Sequence, residues 1–117
     1  MKIFGNDGFR STFGFQFMTN DFLTSFSFSI VNYINVKKLS FPIALGRDTR
    51  DSGLVVEKII HTILNKNGIE TISLGIISTP GLSHIISVEN YSLGIMITAS
   101  HSPASQNGIK LFSNTGF

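Results

Sequence analysis

The chain contains no cysteine. That excludes a disulfide framework and a thiolate metal site, and it makes the cytoplasm the expected compartment. No apolar run approaches the ~20 residues needed to span a bilayer. The opening MKIFGNDG lacks the apolar stretch of a secretory signal, so no membrane partner is expected. With no internal repeat and no low-complexity linker, the 117 residues make one domain at most. The net charge of +2 is mild, and no basic stripe runs along an element, so nucleic acid is not an expected partner either. Several catalytic signatures are also missing. There is no G-x-x-x-x-G-K-[ST] loop for a nucleotide phosphate, no G-x-S-x-G elbow for a hydrolase and no D-x-D pair of carboxylates.

What is present centres on LGIMITASHSPASQNGIKLF, residues 93–112. Residues 93–97 form an apolar run long enough for a buried strand and too short for a free-standing helix. The run stops at Thr98, and hydroxyls and an imidazole follow in Ser100, His101 and Ser102. A polar turn closing a strand would look the same. Equally, the carboxyl ends of buried strands are where open α/β sheets place their chemistry. Ser100 and His101 are neighbours, so in an extended segment their side chains diverge, and adjacency provides no serine–histidine proton relay. His61 and His84 fall on helical segments with no acid at ligand spacing and read as surface or partly buried residues.

Taken in order, FGNDGFR (residues 4–10) sets Gly5 and Gly8 around Asn6-Asp7, a strong turn signal. Phe13, Phe15 and Phe17 alternate with Gly14 and Gln16, as an extended segment would. Thr19 or Asn20 can cap a helix with Phe22, Phe26, Ile30 and Ile34 as its core face, although the Phe/Ser alternation over 25–29 competes for a strand. A strand over 42–45 feeds GRDTRDSG (46–53). Ser52 can cap the next helix, whose stripe is Val56, Ile59, Ile60 and Ile63 and whose end is Asn67 with a left-handed Gly68. A second strand covers 69–76. Thr79 and Pro80 open a helix as N-cap and first helical residue, with Leu82, Ile85 and Ile86 facing inward and Asn90 at its end. A third strand covers 93–98. Gln106-Asn107-Gly108 reads as a tight turn returning 109–111 as an antiparallel strand, with Lys110 pointing away from the face of Ile109 and Leu111.

The expected fold class is therefore α/β: a three-layer αβα domain with a mostly parallel sheet built from consecutive βαβ units. Parallel strands share one carboxyl end. Arg47 and Arg50, then Ser78 and Thr79, then Ser100 and His101 should thus line one rim. All three arginines lie in Gly-rich polar segments rather than on helix faces. That arrangement suits a compact anion such as a phosphate ester, with the helix N-terminus at Thr79 adding its own attraction.

Four separated segments, in order, resemble the first domain of the α-D-phosphohexomutases, the phosphoglucomutase and phosphomannomutase superfamily. FGNDGFR is similar to that family's opening FGTDGIR, and GRDTRDSG to its second motif. Ser78-Thr79-Pro80 resembles its TP signature, and residues 94–112 resemble its active-site loop, usually TASHNP followed by NGIK. FG-x-DG at the start and NGIKLF with a trailing glycine suggest the phosphoglucosamine mutase branch, with phosphomannomutase and phosphoglucomutase as alternatives. The resemblance implies a phosphoserine at Ser100 that exchanges its phosphoryl group with a hexose phosphate. In that branch the conversion is glucosamine 6-phosphate to glucosamine 1-phosphate.

The same resemblance implies catalytic roles for Ser100, His101, Lys110 and Arg10, and phosphate or substrate contacts for Arg47, Arg50 and Thr79. It implies Mg²⁺ bound through the phosphate on Ser100. For Arg47, a structural role anchoring its loop through Asp48 or Asp51 is an equal expectation. Residues 1–117 are expected to be domain I, incomplete at the C-terminus and inactive alone, with a phosphosugar and the remaining domains of a longer enzyme as partners. Asn6, Ser11 and Ser102 stand where the family usually has Thr or Ser, Gly, and Asn. Ser102 places a second hydroxyl two residues from Ser100. A reading from another class is a non-catalytic anion-binding module that keeps the rim.

Overall fold

The computed structural model of the chain describes residues 9–12, 20–49, 51–98 and 106–113, with the backbone alone for 9–12, 51–52 and 106–108. In order, the elements are β1 (Phe9–Thr12), α1 (Asn20–Lys37), β2 (Ile43–Arg47), α2 (Asp51–Lys66), β3 (Thr71–Ile76), α3 (Thr79–Val88), β4 (Leu93–Ile97) and β5 (Gln106–Ser113). They form one five-stranded sheet in the order β1-β5-β4-β2-β3. The central β2 pairs in parallel with β3 and β4, and β5 runs antiparallel to both β4 and β1. Four strands therefore point one way, as the βαβ reading requires, and β5 alone opposes them.

From β2 the chain steps outward to β3, then crosses back over β2 to reach β4. If both crossovers keep the right hand, that reversal sends the two helices to opposite faces. The buried side chains follow suit. Ile43 and Leu45 of β2, Leu93, Ile95 and Ile97 of β4, and Ile109 of β5 pack with α1 and α2. Ala44 and Met96, at the alternate positions, pack with Leu82 and Ile86 of α3. The three layers are thus α1 with α2, the sheet, and α3. Gly94 lets the third layer approach: a Cβ there would lie 2.7 Å from Ile86 Cγ1.

Helix α1 settles the competition over residues 25–29. Its hydroxyls turn back onto the preceding turn, Thr24 Oγ1 to the Asn20 carbonyl (2.8 Å), Ser27 Oγ to Leu23 (2.8 Å) and Ser29 Oγ to Ser25 (3.1 Å). Bonded in this way, serine and threonine no longer oppose a helix. Leu23, Phe26, Ile30 and Ile34 form its buried row. Phe22 is half-buried beside it, with ring centroids 6.4 Å apart from Phe26.

Both long helices close with the same motif. After α2, Ile69 N–H donates to the Leu64 carbonyl (3.0 Å) and Gly68 N–H to Asn65 (3.1 Å), with Gly68 at φ +81° as expected. After α1, Leu39 N–H donates to Ile34 (3.1 Å) and Lys38 N–H to Asn35 (3.2 Å), but the left-handed residue is Lys38, at φ 55°. Left-handed backbone costs an L-residue with a Cβ about 1 kcal/mol or more, a cost glycine does not carry. Lys38→Gly should therefore raise the urea midpoint by an amount equivalent to about 1 kcal/mol at unchanged slope.

Several boundaries differ from the sequence reading. The N-cap of α3 is Ser78, not Thr79: Ser78 has extended backbone and its Oγ accepts from Gly81 N–H at 3.0 Å. Pro80 thus occupies the second helical position, and the helix ends with Glu89 as C-cap rather than at Asn90. Helix α2 begins at Asp51, so Ser52 lies inside it. Residues 106–108 do not turn. They extend β5 because β1 supplies backbone partners, Thr12 opposite Gln106, Ser11 opposite Asn107 and Arg10 opposite Gly108. The turn at 5–8, the alternation at 13–17 and Thr19 lie outside the described residues.

Candidate functional site

The register brings Arg47 level with Ile76 on one side and Ile97 on the other. The carboxyl ends of β2, β3 and β4 therefore share one rim, as expected. Strand β5 meets it from the opposite direction, with Ile109 opposite Ile97. The chain leaves β2 toward β3 and leaves β4 the other way, so the path reverses between these two neighbours. Such a switch point opens a crevice beyond the strand ends, where ligands of open α/β sheets bind. The ASHSP segment starts there, directly after Thr98.

Two bonds tie the rim at that point. Asp48 N–H donates to the Ile97 carbonyl at 3.2 Å, and the Thr98 hydroxyl donates to the Asp48 carboxylate at 2.9 Å. On the α2 side, Arg47 Nε lies 3.5 Å from Glu57 Oε1. The other Glu57 oxygen accepts from Ser73 Oγ of β3 at 2.8 Å. Among the described residues neither Arg47 Nε nor Glu57 Oε1 has a hydrogen-bond partner, so charge holds this pair together. The anchoring expected for Arg47 is thus made to Glu57, on the helix that follows its loop.

Lys110 occupies the other face. Ile109 and Leu111 pack toward α1 and α2, whereas Met96, the cross-strand partner of Lys110, packs under α3. This is the alternation read from the sequence. Thr79, half-buried, opens α3 on that same side of the sheet. Arg10 stands opposite Gly108, two residues from Lys110 along β5. Among the described residues Lys110 has no ion-pair partner. The sheet therefore separates two cations that looked alike in the sequence: Arg47 faces a carboxylate on the α2 side, and Lys110 lies on the α3 side.

Arg50, Ser100 and His101 lie outside the described residues, as does the side chain of Arg10. Among the described residues no group of three His, Cys, Asp or Glu could hold a metal ion, and no helix is long and apolar enough to cross a membrane. His61 and His84 are exposed. The Thr71 hydroxyl is bonded to His61 Nδ1 and accepts from Asn65 Nδ2, which ties α2 to β3. Two residues of the rim were missed as contributors, Glu57 and Thr98. For Glu57 a signal existed: it is 7% exposed and sits among Val56, Ile60 and Leu64, an acid on a core-facing helical stripe. For Thr98 the signal was only its place between the apolar run and the hydroxyl cluster.

A family profile described as "Phosphoglucomutase/phosphomannomutase, alpha/beta/alpha domain I" matches residues 1–117. Among curated relatives, a phosphoglucosamine mutase of Albidiferax ferrireducens is 35% identical over 115 residues, covering 98% of this chain and 26% of the relative. A phosphoglucosamine mutase of Prochlorococcus marinus (strain MIT 9215) is 40% identical, covering 98% and 25%. The chain thus spans about a quarter of the length of these relatives. A solved structure from Thermus thermophilus, assigned as a phosphomannomutase, superposes with a TM-score of 0.83 at 25% identity, over 97% of this chain and 26% of that one. A Burkholderia thailandensis phosphoglucomutase/phosphomannomutase family protein shares the fold at a TM-score of 0.79 and 21% identity, over 91% and 24%.

Proposed function

Because the chain belongs to the phosphoglucomutase/phosphomannomutase family, as its alpha/beta/alpha domain I, we propose that it is the phosphoserine-bearing domain of a cytoplasmic phosphoglucosamine mutase. The observation that carries this is the origin of the ASHSP segment at the switch point between β2 and β4, beside Thr98. Relatives named for that activity, at 35% and 40% identity, support the choice of branch. Phosphoserine Ser100 gives its phosphoryl group to a hydroxyl of glucosamine 6-phosphate: the serine O–P bond breaks, a sugar O–P bond forms, and the sugar hydroxyl's proton passes to the serine oxygen. The bisphosphate turns over, and the phosphoryl group at the other position returns to Ser100, releasing glucosamine 1-phosphate.

Transfers of this kind depend mainly on positioning and charge neutralisation. Lys110 and the N-terminus of α3 at Thr79 offer positive potential on one side of the rim, and Arg10 and His101 complete the surroundings of Ser100. Arg47 holds the rim in shape through Glu57, and Arg50 meets the substrate phosphate. Mg²⁺, when bound, supplies further neutralisation at a phosphoryl oxygen. The described residues contain no group of three His, Cys, Asp or Glu that could hold it; the phosphate on Ser100 would be one ligand, and carboxylates of the remaining domains would supply others.

The test is a chimera in which residues 1–117 replace the matching first quarter of the Prochlorococcus marinus relative. Turnover of glucosamine 6-phosphate above that of glucose or mannose phosphates is expected. Turnover confined to glucose or mannose phosphates would move the chain to the other branch. A folded chimera that binds inorganic phosphate and turns over none would support the non-catalytic module.

A further inference from the structure

Beyond their last paired residues, β2 and β4 remain joined by the Asp48 N–H bond to Ile97 and by the bond from the Thr98 hydroxyl to the Asp48 carboxylate, at 3.2 and 2.9 Å. Thr98 is only 3% exposed, so water competes little for its hydroxyl. A hydrogen bond to an ionised acceptor is the stronger kind. These bonds close the sheet where the switch-point crevice begins, at the step directly before Ala99. Ser100 follows Thr98 by two residues in the sequence, so these bonds hold the start of the segment that bears it, and misplacement by about 1 Å can cost a group-transfer reaction about a hundredfold.

We propose that Thr98 and Asp48 are positioning residues, a latch that fixes the point at which the chain leaves β4 toward Ser100. The reactive role of Ser100 rests on the function proposed above, whereas the latch rests on the two bonds themselves. Valine keeps the shape of threonine and loses the donor. Serine keeps the donor. The two substitutions therefore separate hydrogen bonding from packing.

The first measurement is backbone NMR of the chain with Thr98→Val and Thr98→Ser, after urea unfolding has shown each variant folded. In Thr98→Val the amide resonances of Ala99 and Ser100 should move, and amide exchange at Asp48 should accelerate by about tenfold. Thr98→Ser should restore both. If the valine variant does not fold, Asp48→Ala removes the acceptor and should displace the same two resonances. The second measurement uses the chimera, where Thr98→Val should lower kcat by about tenfold or more with KM little changed, and serine should rescue it. Wild-type shifts, exchange and kcat in a folded Thr98→Val protein would overturn the latch. An inactive parent chimera would count against the proposed function, and the NMR arm would still decide the latch.

Discussion

The 117-residue chain on its own should show no interconversion of hexose phosphates. A phosphohexomutase must neutralise a phosphoserine dianion and must grip the distal phosphate while the sugar turns. Of the described cations at the rim, Arg47 already faces Glu57 at 3.5 Å, which leaves Lys110. The sequence has seven acidic residues and no two of them as D-x-D, so the carboxylates for a bound cation are not gathered here. Without the remaining domains, Ser100 would also lack the closure that keeps water from a reactive intermediate. Parts that act as a unit lose rate together, so turnover should lie more than about a thousandfold below that of the chimera. The assay is the purified chain with glucosamine 6-phosphate, Mg²⁺ and a bisphosphate activator. Turnover that disappears in Ser100→Ala would show that this segment carries the full machinery.

Glu57→Ala should destabilise the fold by about 3 kcal/mol, the usual cost of removing one partner of a buried ion pair. Glu57 is 7% exposed, and its side chain joins Arg47 of β2 to Ser73 of β3 through α2. Alanine leaves the buried Arg47 Nε without its counter-charge and removes the acceptor of the Ser73 hydroxyl. Much of that cost belongs to the stranded charge, so the double change Arg47→Met with Glu57→Leu should recover most of it. Urea unfolding of the two variants checks both statements. A single Glu57→Ala change worth less than about 1 kcal/mol would mean that the pair behaves as an exposed one.

Much of this architecture was legible because short apolar runs alternated with helical stripes. The runs read at 42–45 and 93–98 fall on β2 and β4, and the stripe read as Val56, Ile59, Ile60 and Ile63 falls on α2, although its buried row is Val56, Ile60 and Leu64. The common rim followed from parallel connection alone. The face of Lys110 followed from its alternation with Ile109 and Leu111. Less legible was the partner of Arg47, expected at Asp48 or Asp51 and found at Glu57 on the α2 side. Contacts between distant segments were also hidden. Asp48 and Thr98 are 50 residues apart, and Glu57 and Ser73 are 16 apart. No local period encodes such pairs. The cap of α3 was misplaced by one residue because Ser78 and Thr79 are both good caps and only the fold chooses between them. The tight turn assigned to 106–108 failed because the backbone of β1, remote in sequence, supplies partners there.

The central claim, that Ser100 carries the transferred phosphoryl group, is tested most directly by peptide mass spectrometry of the active chimera after incubation with glucose 1,6-bisphosphate. The account predicts one phosphate, on Ser100, absent from a Ser100→Ala chimera that has also lost turnover. Phosphate on Ser102 instead, with the Ser100→Ala chimera still active, would contradict it.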